Sequence, residues 1–254
     1  MKIHFLGTCA GTEPIEGMCH QSMAIESGEK VYFFDAGENC SRTAHLSGIN
    51  LLNTRAIFIS HTHMDHVGGL GNLLWNIRKL HGNVGCNITL CEKTVYISDK
   101  TTYDGIMQIL ENSENGYDIA FKLDCVEIRF GKVFSDENIS VYAIENTHLT
   151  HQKKPSYSFV VECEGRKLVY SGDLGSLKDL DDVIANGCDI LICETGHHKV
   201  SEVCEYARTK NVKALYFSHN GREIINYPTE SINAARNIFG ECVYIAHDKM
   251  TVEI

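Results

Sequence analysis

The chain has 254 residues, of which 43% are hydrophobic and 22% charged, and its formal net charge is −10. A chain of this length buries enough surface to form a core without disulfide or zinc staples. It contains no apolar run of about 18 residues and no low-complexity segment, which excludes membrane-spanning and disordered proteins. Its start lacks a signal-peptide pattern, so we do not expect secretion by that route. We expect a cytoplasmic protein with one domain over residues 1–254.

Short runs rich in Val, Ile, Phe and Tyr recur along the chain and are typical of strands. Helical spacing of apolar residues appears between some of them. In chain order, we predict strands at 2–6, 30–35, 55–60, 139–144, 157–163, 167–171, 189–193, 213–218 and 242–246, and helices at 69–80, 200–210 and 230–239. Because strands and helices interleave, the sequence predicts an α/β fold.

Two segments of the chain resemble two others. RAIFISH at 55–61 is matched by KALYFSH at 213–219, and in both a predicted strand delivers a histidine at its end. More loosely, Asp35 and Gly37 are echoed by Asp173 and Gly175. The sequence therefore predicts two related halves that each present polar residues at strand ends.

The eleven cysteines are an odd number, and no CxxC pair occurs. A disulfide framework and a zinc knuckle are both disfavoured. Most of these thiols lie inside apolar runs, where reduced cysteine packs as a small hydrophobic residue.

The strongest chemical signal is an HxHxDH motif made by His61, His63, Asp65 and His66, directly after a predicted strand. In an extended segment His61 and His63 point to the same side, so both imidazoles can bind one cation. A turn into the next helix would direct Asp65 and His66 toward a second one. Imidazole and carboxylate are suitable ligands for Zn, Mn or Fe.

Four ligands cannot complete two coordination shells, so further ligands must come from elsewhere in the chain. His148, Asp173 and His219 each stand at the end of a predicted strand and have the right chemistry. His151 lies three residues beyond His148 and is an alternative ligand. We prefer His148, which directly ends the strand, and expect His151 to line the substrate pocket.

Taken together, these motifs resemble the metallo-β-lactamase superfamily of metal-dependent hydrolases, and more narrowly its ribonuclease Z branch. The resemblance spans nearly the whole chain. Its blocks are FLGTCAG (5–11), FDAGEN (34–39), ISHTHMDHVGGL (59–70), ICETGHH (192–198) and FSHNGRE (217–223). It implies an αββα four-layer sandwich with a dinuclear metal site. The oxidoreductase branch has a glutamate where His63 stands, so a redox role is disfavoured.

The resemblance also implies roles for individual residues. His61, His63 and His148 would hold one metal ion, Asp65, His66 and His219 the other, and Asp173 would bridge them. We expect two divalent ions per chain, with Zn²⁺ preferred and Mn²⁺ as the alternative. Asp65 would orient the attacking hydroxide, which the two ions activate. Glu194 with His197 or His198 would assist the leaving group. Asp35 is expected to be a buried structural carboxylate rather than a ligand.

One departure from the branch bears on the substrate. Ribonuclease Z carries a long tRNA-gripping arm between the third-histidine region and the bridging aspartate, whereas only 24 residues separate His148 from Asp173 here. The arm is therefore predicted to be absent. The acidic net charge also disfavours a long nucleic acid, which is bound chiefly through phosphate contacts.

These observations lead to one hypothesis with two alternatives. The leading hypothesis is a metal-dependent phosphodiesterase for a small phosphodiester, with a cyclic nucleotide as a candidate. The alternatives are an endoribonuclease acting on tRNA precursors and a nucleotide-binding protein without catalysis. No membrane partner is expected, and a homodimer is implied only by the resemblance.

Overall fold

The computed structural model describes residues 1–84, 92–113 and 116–254, with the side chains of 83 and 84 left aside. Contacts within it divide these residues into two compact units. The first comprises Met1–Gly7, Pro14–Ile128 and Asp248–Ile254, and the second comprises Thr8–Glu13 and Arg129–His247. The prediction of a single domain stays a prediction.

The first unit contains a seven-stranded mixed sheet in the order β14-β1-β2-β3-β4-β5-β6. The strands β14, β1, β2 and β3 pair antiparallel, and β3 to β6 pair parallel. Their bounds are β1 Lys2–Gly7, β2 Ser22–Ser27, β3 Lys30–Phe34, β4 Thr54–Ile59, β5 Glu92–Ile97, β6 Lys122–Glu127 and β14 Thr251–Glu253.

Four helices belong to this unit: α1 Cys40–Leu46, α2 Met64–Val67, α3 Leu70–Val84 and α4 Lys100–Asn112. Leu73 and Ile77 of α3 and Ile57 of β4 belong to one core cluster of fully buried side chains. Asp99 is the N-cap residue of α4. Its carboxylate accepts a hydrogen bond from the Thr101 amide at 2.9 Å, as expected at that position.

The second unit contains another seven-stranded mixed sheet, in the order β13-β12-β11-β10-β9-β8-β7. Here β7 to β10 pair antiparallel and β10 to β13 pair parallel. The bounds are β7 Gly131–Ser135, β8 Ile139–Glu145, β9 Tyr157–Cys163, β10 Arg166–Tyr170, β11 Cys188–Glu194, β12 Val212–Ser218 and β13 Val243–Ile245. Each unit thus has the same division into antiparallel and parallel strands, in keeping with two related halves.

The helices of the second unit are α5 Val200–Thr209, α6 Arg222–Asn226 and α7 Pro228–Phe239, with a 3-10 helix at Leu177–Leu180. The apolar faces of α5 and α7 join β11 and β12 in a second core cluster. Pro228 stands in the first turn of α7, where its missing N–H leaves no hydrogen bond unmade.

The predicted α/β class is confirmed, and every predicted strand and helix is present within a few residues of its predicted bounds. The nine cysteines of the described ranges are free. Cys125 is partly buried and packs against the first core cluster, whereas Cys242 is exposed and not packed as a hydrophobic residue. No helix in the described part of the chain is both long enough and apolar enough to span a membrane.

Candidate metal centre

The HxHxDH motif begins two residues after the end of β4 and runs into α2. His61 follows Ser60 at the end of the strand, and His63 has extended dihedral angles (φ −66°, ψ 147°) immediately before α2 begins. Asp65 and His66 lie within α2 itself. The predicted change from extended chain to helix therefore falls inside the motif.

This local geometry brings the four side chains into one group within the first unit. The ring centroid of His61 lies 4.7 Å from that of His63 and 4.1 Å from that of His66. The Nε2 atom of His66 lies 3.5 Å from Oδ2 of Asp65. His61 and His66 are fully buried. The group combines imidazole and carboxylate donors, a set that suits Zn, Mn or Fe.

Asp35 holds this group from beneath, as the sequence predicts. It is fully buried, and its carboxylate accepts hydrogen bonds from the Ser60 amide (2.7 Å), the Ser60 hydroxyl (2.8 Å) and Nδ1 of His66 (2.8 Å). An ionised carboxylate only accepts, so Nδ1 of His66 carries the proton and Nε2 carries the lone pair. This tautomer is the one that a metal ligand bound through Nε2 requires.

A second group of donors surrounds Asp173 in the second unit. Oδ2 of Asp173 lies 3.7 Å from Nε2 of His148, and Oδ1 lies 3.3 Å from Nε2 of His219. One buried carboxylate therefore presents its two oxygens to two different imidazoles, which is the arrangement that a bridging ligand needs. His219 directly follows β12 and has φ 52°, in the left-handed region.

The structure distinguishes His148 from its alternative, His151. His148 lies against Asp173, whereas His151 is exposed in a 3-10 turn with its Nε2 3.2 Å from Nε2 of Gln152. Within the second unit, the group around Asp173 therefore includes His148 and not His151. The pocket-lining role expected of His151 stays a prediction.

Glu194 and His197 form a pair beside the same group. Glu194 ends β11 and is 2% exposed. Its carboxylate accepts hydrogen bonds from the amides of Leu174 (3.0 Å) and His197 (2.7 Å), and its Oε1 lies 3.1 Å from Nδ1 of His197. Burial would raise the pKa of Glu194, but the hydrogen bond from His197 and the nearby imidazole of His219 bring that pKa below its usual value.

His197, not His198, is placed among the donors. The side chain of His197 is 44% exposed, and its ring centroid lies 4.9 Å from that of His148 and 5.8 Å from that of His219. His198 is directed instead to the carbonyl oxygen of Leu174, 3.3 Å from its Nε2. His197 is therefore the histidine that can reach both the donors and solvent.

A buried polar network behind this group is absent from the sequence prediction. The Asn146 amide side chain accepts from the backbone N–H of His148 (3.2 Å) and donates to Ser158 Oγ (3.1 Å). Ser158 Oγ donates to the Ser171 carbonyl, and Ser171 Oγ accepts from the Glu194 amide at 3.0 Å. Single serines and asparagines carry no sequence signal of such a role.

The sequence of this chain is similar to those of known proteins. A family model described as "Anti-Pycsar protein Apyc1" matches residues 1–227. A ribonuclease Z of Picrophilus torridus is 25% identical and is aligned over all of this chain and 96% of its own length. A ribonuclease Z of Methanocaldococcus jannaschii is 26% identical over 86% of this chain and 85% of its own length.

Solved structures share the fold. The metallo-β-lactamase fold protein YhfI from Bacillus subtilis superposes with a TM-score of 0.77 at 16% identity, covering 99% of this chain and 98% of that one. The short form of human tRNase Z gives a TM-score of 0.73 at 20% identity, covering 100% and 99%. These likenesses confirm the predicted metallo-β-lactamase fold. The chain therefore belongs to the family of the anti-Pycsar protein Apyc1 and is a ribonuclease Z-like, metal-dependent hydrolase of the metallo-β-lactamase superfamily.

Proposed function

We propose that the chain is a metal-dependent phosphodiesterase that hydrolyses a small phosphodiester, with a cyclic nucleotide as the first candidate. The observation that carries the proposal is the arrangement of ligand-type side chains. One unit groups three histidines and an aspartate, and the other places a buried carboxylate between two imidazoles. A protein that only captured a nucleotide would not need a donor set of this kind.

The proposed centre takes ligands from both groups. His61, His63 and His148 would bind one ion, Asp65, His66 and His219 the other, and Asp173 would contribute one oxygen to each. The proposed ions are Zn²⁺, with Mn²⁺ as the alternative. Such a pair lowers the pKa of bound water and stabilises charge on phosphoryl oxygens.

The remaining chemistry would fall to side chains of this chain. Asp65 has an oxygen beyond the one that faces His66, which suits it to accept the proton of the attacking water. As an imidazolium, with Nδ1 hydrogen-bonded to Glu194, His197 would donate a hydrogen bond or proton from Nε2 to the leaving oxygen. Glu194, which accepts from both the amide and Nδ1 of His197, holds that ring in place and fixes its orientation.

A small substrate is supported by the β9–β10 connection, where the ribonuclease Z branch has its arm. The two strands are joined by Glu164 and Gly165 alone, and both residues have positive φ values (50° and 75°), as in a tight hairpin turn. The ammonium group of Lys167 in this hairpin donates a hydrogen bond to the Val183 carbonyl. Its positive charge is therefore bound within the protein.

The second candidate is an endoribonuclease acting on tRNA precursors. The names of the curated relatives favour it more directly than they favour a small substrate, because relatives named ribonuclease Z match the whole chain. However, the alignment with the Picrophilus torridus protein extends over 299 positions against 254 residues here, so that relative carries residues that this chain lacks.

The test is a substrate panel with metal-loaded protein. Bis(p-nitrophenyl) phosphate, cyclic mononucleotides, dinucleotides and a precursor tRNA would be incubated separately, and the products followed by chromatography. We expect hydrolysis of a small diester, lost in His63→Ala and kept in His45→Ala, whose histidine is exposed on α1.

Each other outcome selects a different function. Cleavage of the precursor tRNA alone, with strongly salt-dependent binding, would establish the endoribonuclease. Recovery of an intact, tightly bound nucleotide would establish a binding protein. Metal-loaded protein that cleaved no phosphodiester would refute the proposal. The cytoplasmic location and the homodimer stay predictions.

A further inference from the structure

Asp179 makes an unusual number of contacts for a carboxylate in a short 3-10 helix. Its Oδ2 accepts hydrogen bonds from the amides of Thr147 (3.0 Å) and Ser176 (3.1 Å). The Thr147 hydroxyl donates to the same carboxylate, with Oγ1 at 2.8 Å from Oδ2 and 3.1 Å from Oδ1. One side chain thus binds two separate loops of the second unit.

Both loops carry residues of the group around Asp173. Thr147 immediately precedes His148, and Ser176 follows Asp173 by three residues. The loops also touch directly, because a Cβ atom placed on Gly175 would lie 2.4 Å from Oγ1 and 2.7 Å from the carbonyl carbon of Thr147. Only glycine permits this close approach of the two loops, and the hydrogen bonds to Asp179 stabilise it.

We propose that Asp179 is a positioning residue that fixes the placement of His148 relative to Asp173 and thereby sets the affinity of the metal centre. The inference rests on the proposed function, since it assumes that these two side chains are ligands. Metal ligands have to be held within about 0.5 Å of their productive geometry by surrounding hydrogen bonds. The 3.7 Å separation between Nε2 of His148 and Oδ2 of Asp173 is the distance that the Asp179 contacts maintain.

Capping of the 3-10 helix does not account for these contacts. The capping box of that helix needs only the contact between Asp179 and Ser176. The hydrogen bonds from the amide and the hydroxyl of Thr147 reach across to the His148 loop and contribute nothing to the cap. They are the contacts that a positioning role requires.

Asp181 provides a matched control two residues further along. Its carboxylate accepts from the Tyr206 hydroxyl (3.0 Å) and lies 2.7 Å from the Lys210 ammonium, so it holds α5 rather than a ligand loop. Asp181→Asn therefore removes the same charge from the same segment without affecting His148. A loss specific to Asp179→Asn separates positioning from general stability.

The experiment measures zinc affinity by competition with a chromogenic chelator, and thermal unfolding of the metal-free protein, for the wild type and both variants. Loss of a group that orients a metal ligand costs about 10- to 100-fold in metal affinity. We expect about a 10-fold loss in Asp179→Asn, because it acts through the backbone beside His148, with unchanged affinity in Asp181→Asn and similar unfolding midpoints for both. Unchanged affinity in Asp179→Asn, or an equal loss in both variants, would overturn the inference.

Two further measurements keep the outcome decisive. If Asp179→Asn does not fold, Thr147→Val removes only the hydroxyl contact and should give a smaller loss of zinc affinity, whereas no loss would overturn the inference. If the wild type binds neither zinc nor manganese, the proposed function fails by itself. Hydrogen exchange of residues 145–150 in metal-free protein then decides the positioning role. Exchange should accelerate in Asp179→Asn and not in Asp181→Asn, and equal exchange in both would overturn it.

Discussion

Replacement of Asp35 by Asn tests how far the first-unit histidines depend on one buried carboxylate. Asp35 accepts three hydrogen bonds and donates none. Asparagine keeps one acceptor oxygen, which can still serve the Ser60 amide, but turns its NH₂ group toward the Ser60 hydroxyl and Nδ1 of His66. Because two donors cannot bond to each other, His66 has to shift its proton to Nε2 or lose the contact.

The magnitude follows from the bond that is lost. The Ser60 hydroxyl can turn to accept from the new NH₂ group, so the lost bond is the one from Nδ1 of His66. A hydrogen bond to a charged group contributes about 1.5 to 3 kcal/mol, which is the expected destabilisation of the fold. In a protein of this size, 1 kcal/mol corresponds to about 2 to 4 °C in unfolding midpoint, which predicts a decrease of about 3 to 12 °C. A proton on Nε2 also removes the lone pair through which His66 is proposed to bind a metal ion, so we expect zinc affinity to decrease by about 10- to 100-fold.

The assays are thermal unfolding of metal-free protein and zinc competition with a chelator. Asp99→Asn is the control, because Asp99 is a partly buried N-cap residue of α4 and Asn serves that position equally well. The control should leave both measurements unchanged. Wild-type zinc affinity in Asp35→Asn, with a decrease in midpoint no larger than that of Asp99→Asn, would show that Asp35 neither supports the fold nor sets the tautomer of His66.

Two further predictions concern stability. Gly69→Ala should be strongly destabilising in urea unfolding, because its Cβ would lie 2.1 Å from the Gly37 carbonyl oxygen. Gly105→Ala on α4 meets no atom within 4 Å and should instead stabilise the fold by up to about 1 kcal/mol. Equal effects of the two substitutions would contradict the packing argument. Burial lowers the pKa of His4 despite the opposing effect of Glu26, so the folded state binds a proton less readily than the unfolded chain, and stability should decrease as the pH falls below about 6.5. His4→Gln should weaken that pH dependence between about pH 7.5 and 5.5, and an unaltered slope would contradict it.

The part of the fold that the sequence predicts best is the set of buried parallel strands. β4, β11 and β12 are near-continuous apolar runs, which are typical of strands that are buried on both faces. By contrast β6 is half exposed and has only three apolar residues, and α4 contains an internal Gly105 and adjacent threonines that lower helix propensity. Their structure depends on packing against the sheet, which local pattern does not reveal.

The candidate site divides in the same way. Position just after a strand points to the donor-type residues His61 and His219. His148 and Asp173, however, lie three residues beyond β8 and β10, so their contact depends on the paths of the loops and not on a strand end. Asp179 could not be predicted, since its contacts with Thr147 join segments 32 residues apart in the chain. Nor could Asn146, whose side chain bonds both the nearby His148 amide and Ser158 on the next strand. Nor could the sequence choose between His197 and His198, whose difference lies in the path of the loop after Glu194.

Sheet topology explains why two matching aspartates have different surroundings. Asp35 and Asp173 follow corresponding strands, β3 and β10. In the first unit β3 pairs directly with β4, so Asp35 reaches the end of the neighbouring strand and is engaged by Ser60. In the second unit β11 lies between β10 and β12, so Asp173 cannot bond to the backbone at the end of β12 in the same way. Glu194, at the end of that additional strand, takes over the structural hydrogen bonds to Leu174 and His197. The carboxylate of Asp173 is thereby left facing imidazoles instead of backbone, which is the condition that a metal ligand has to meet.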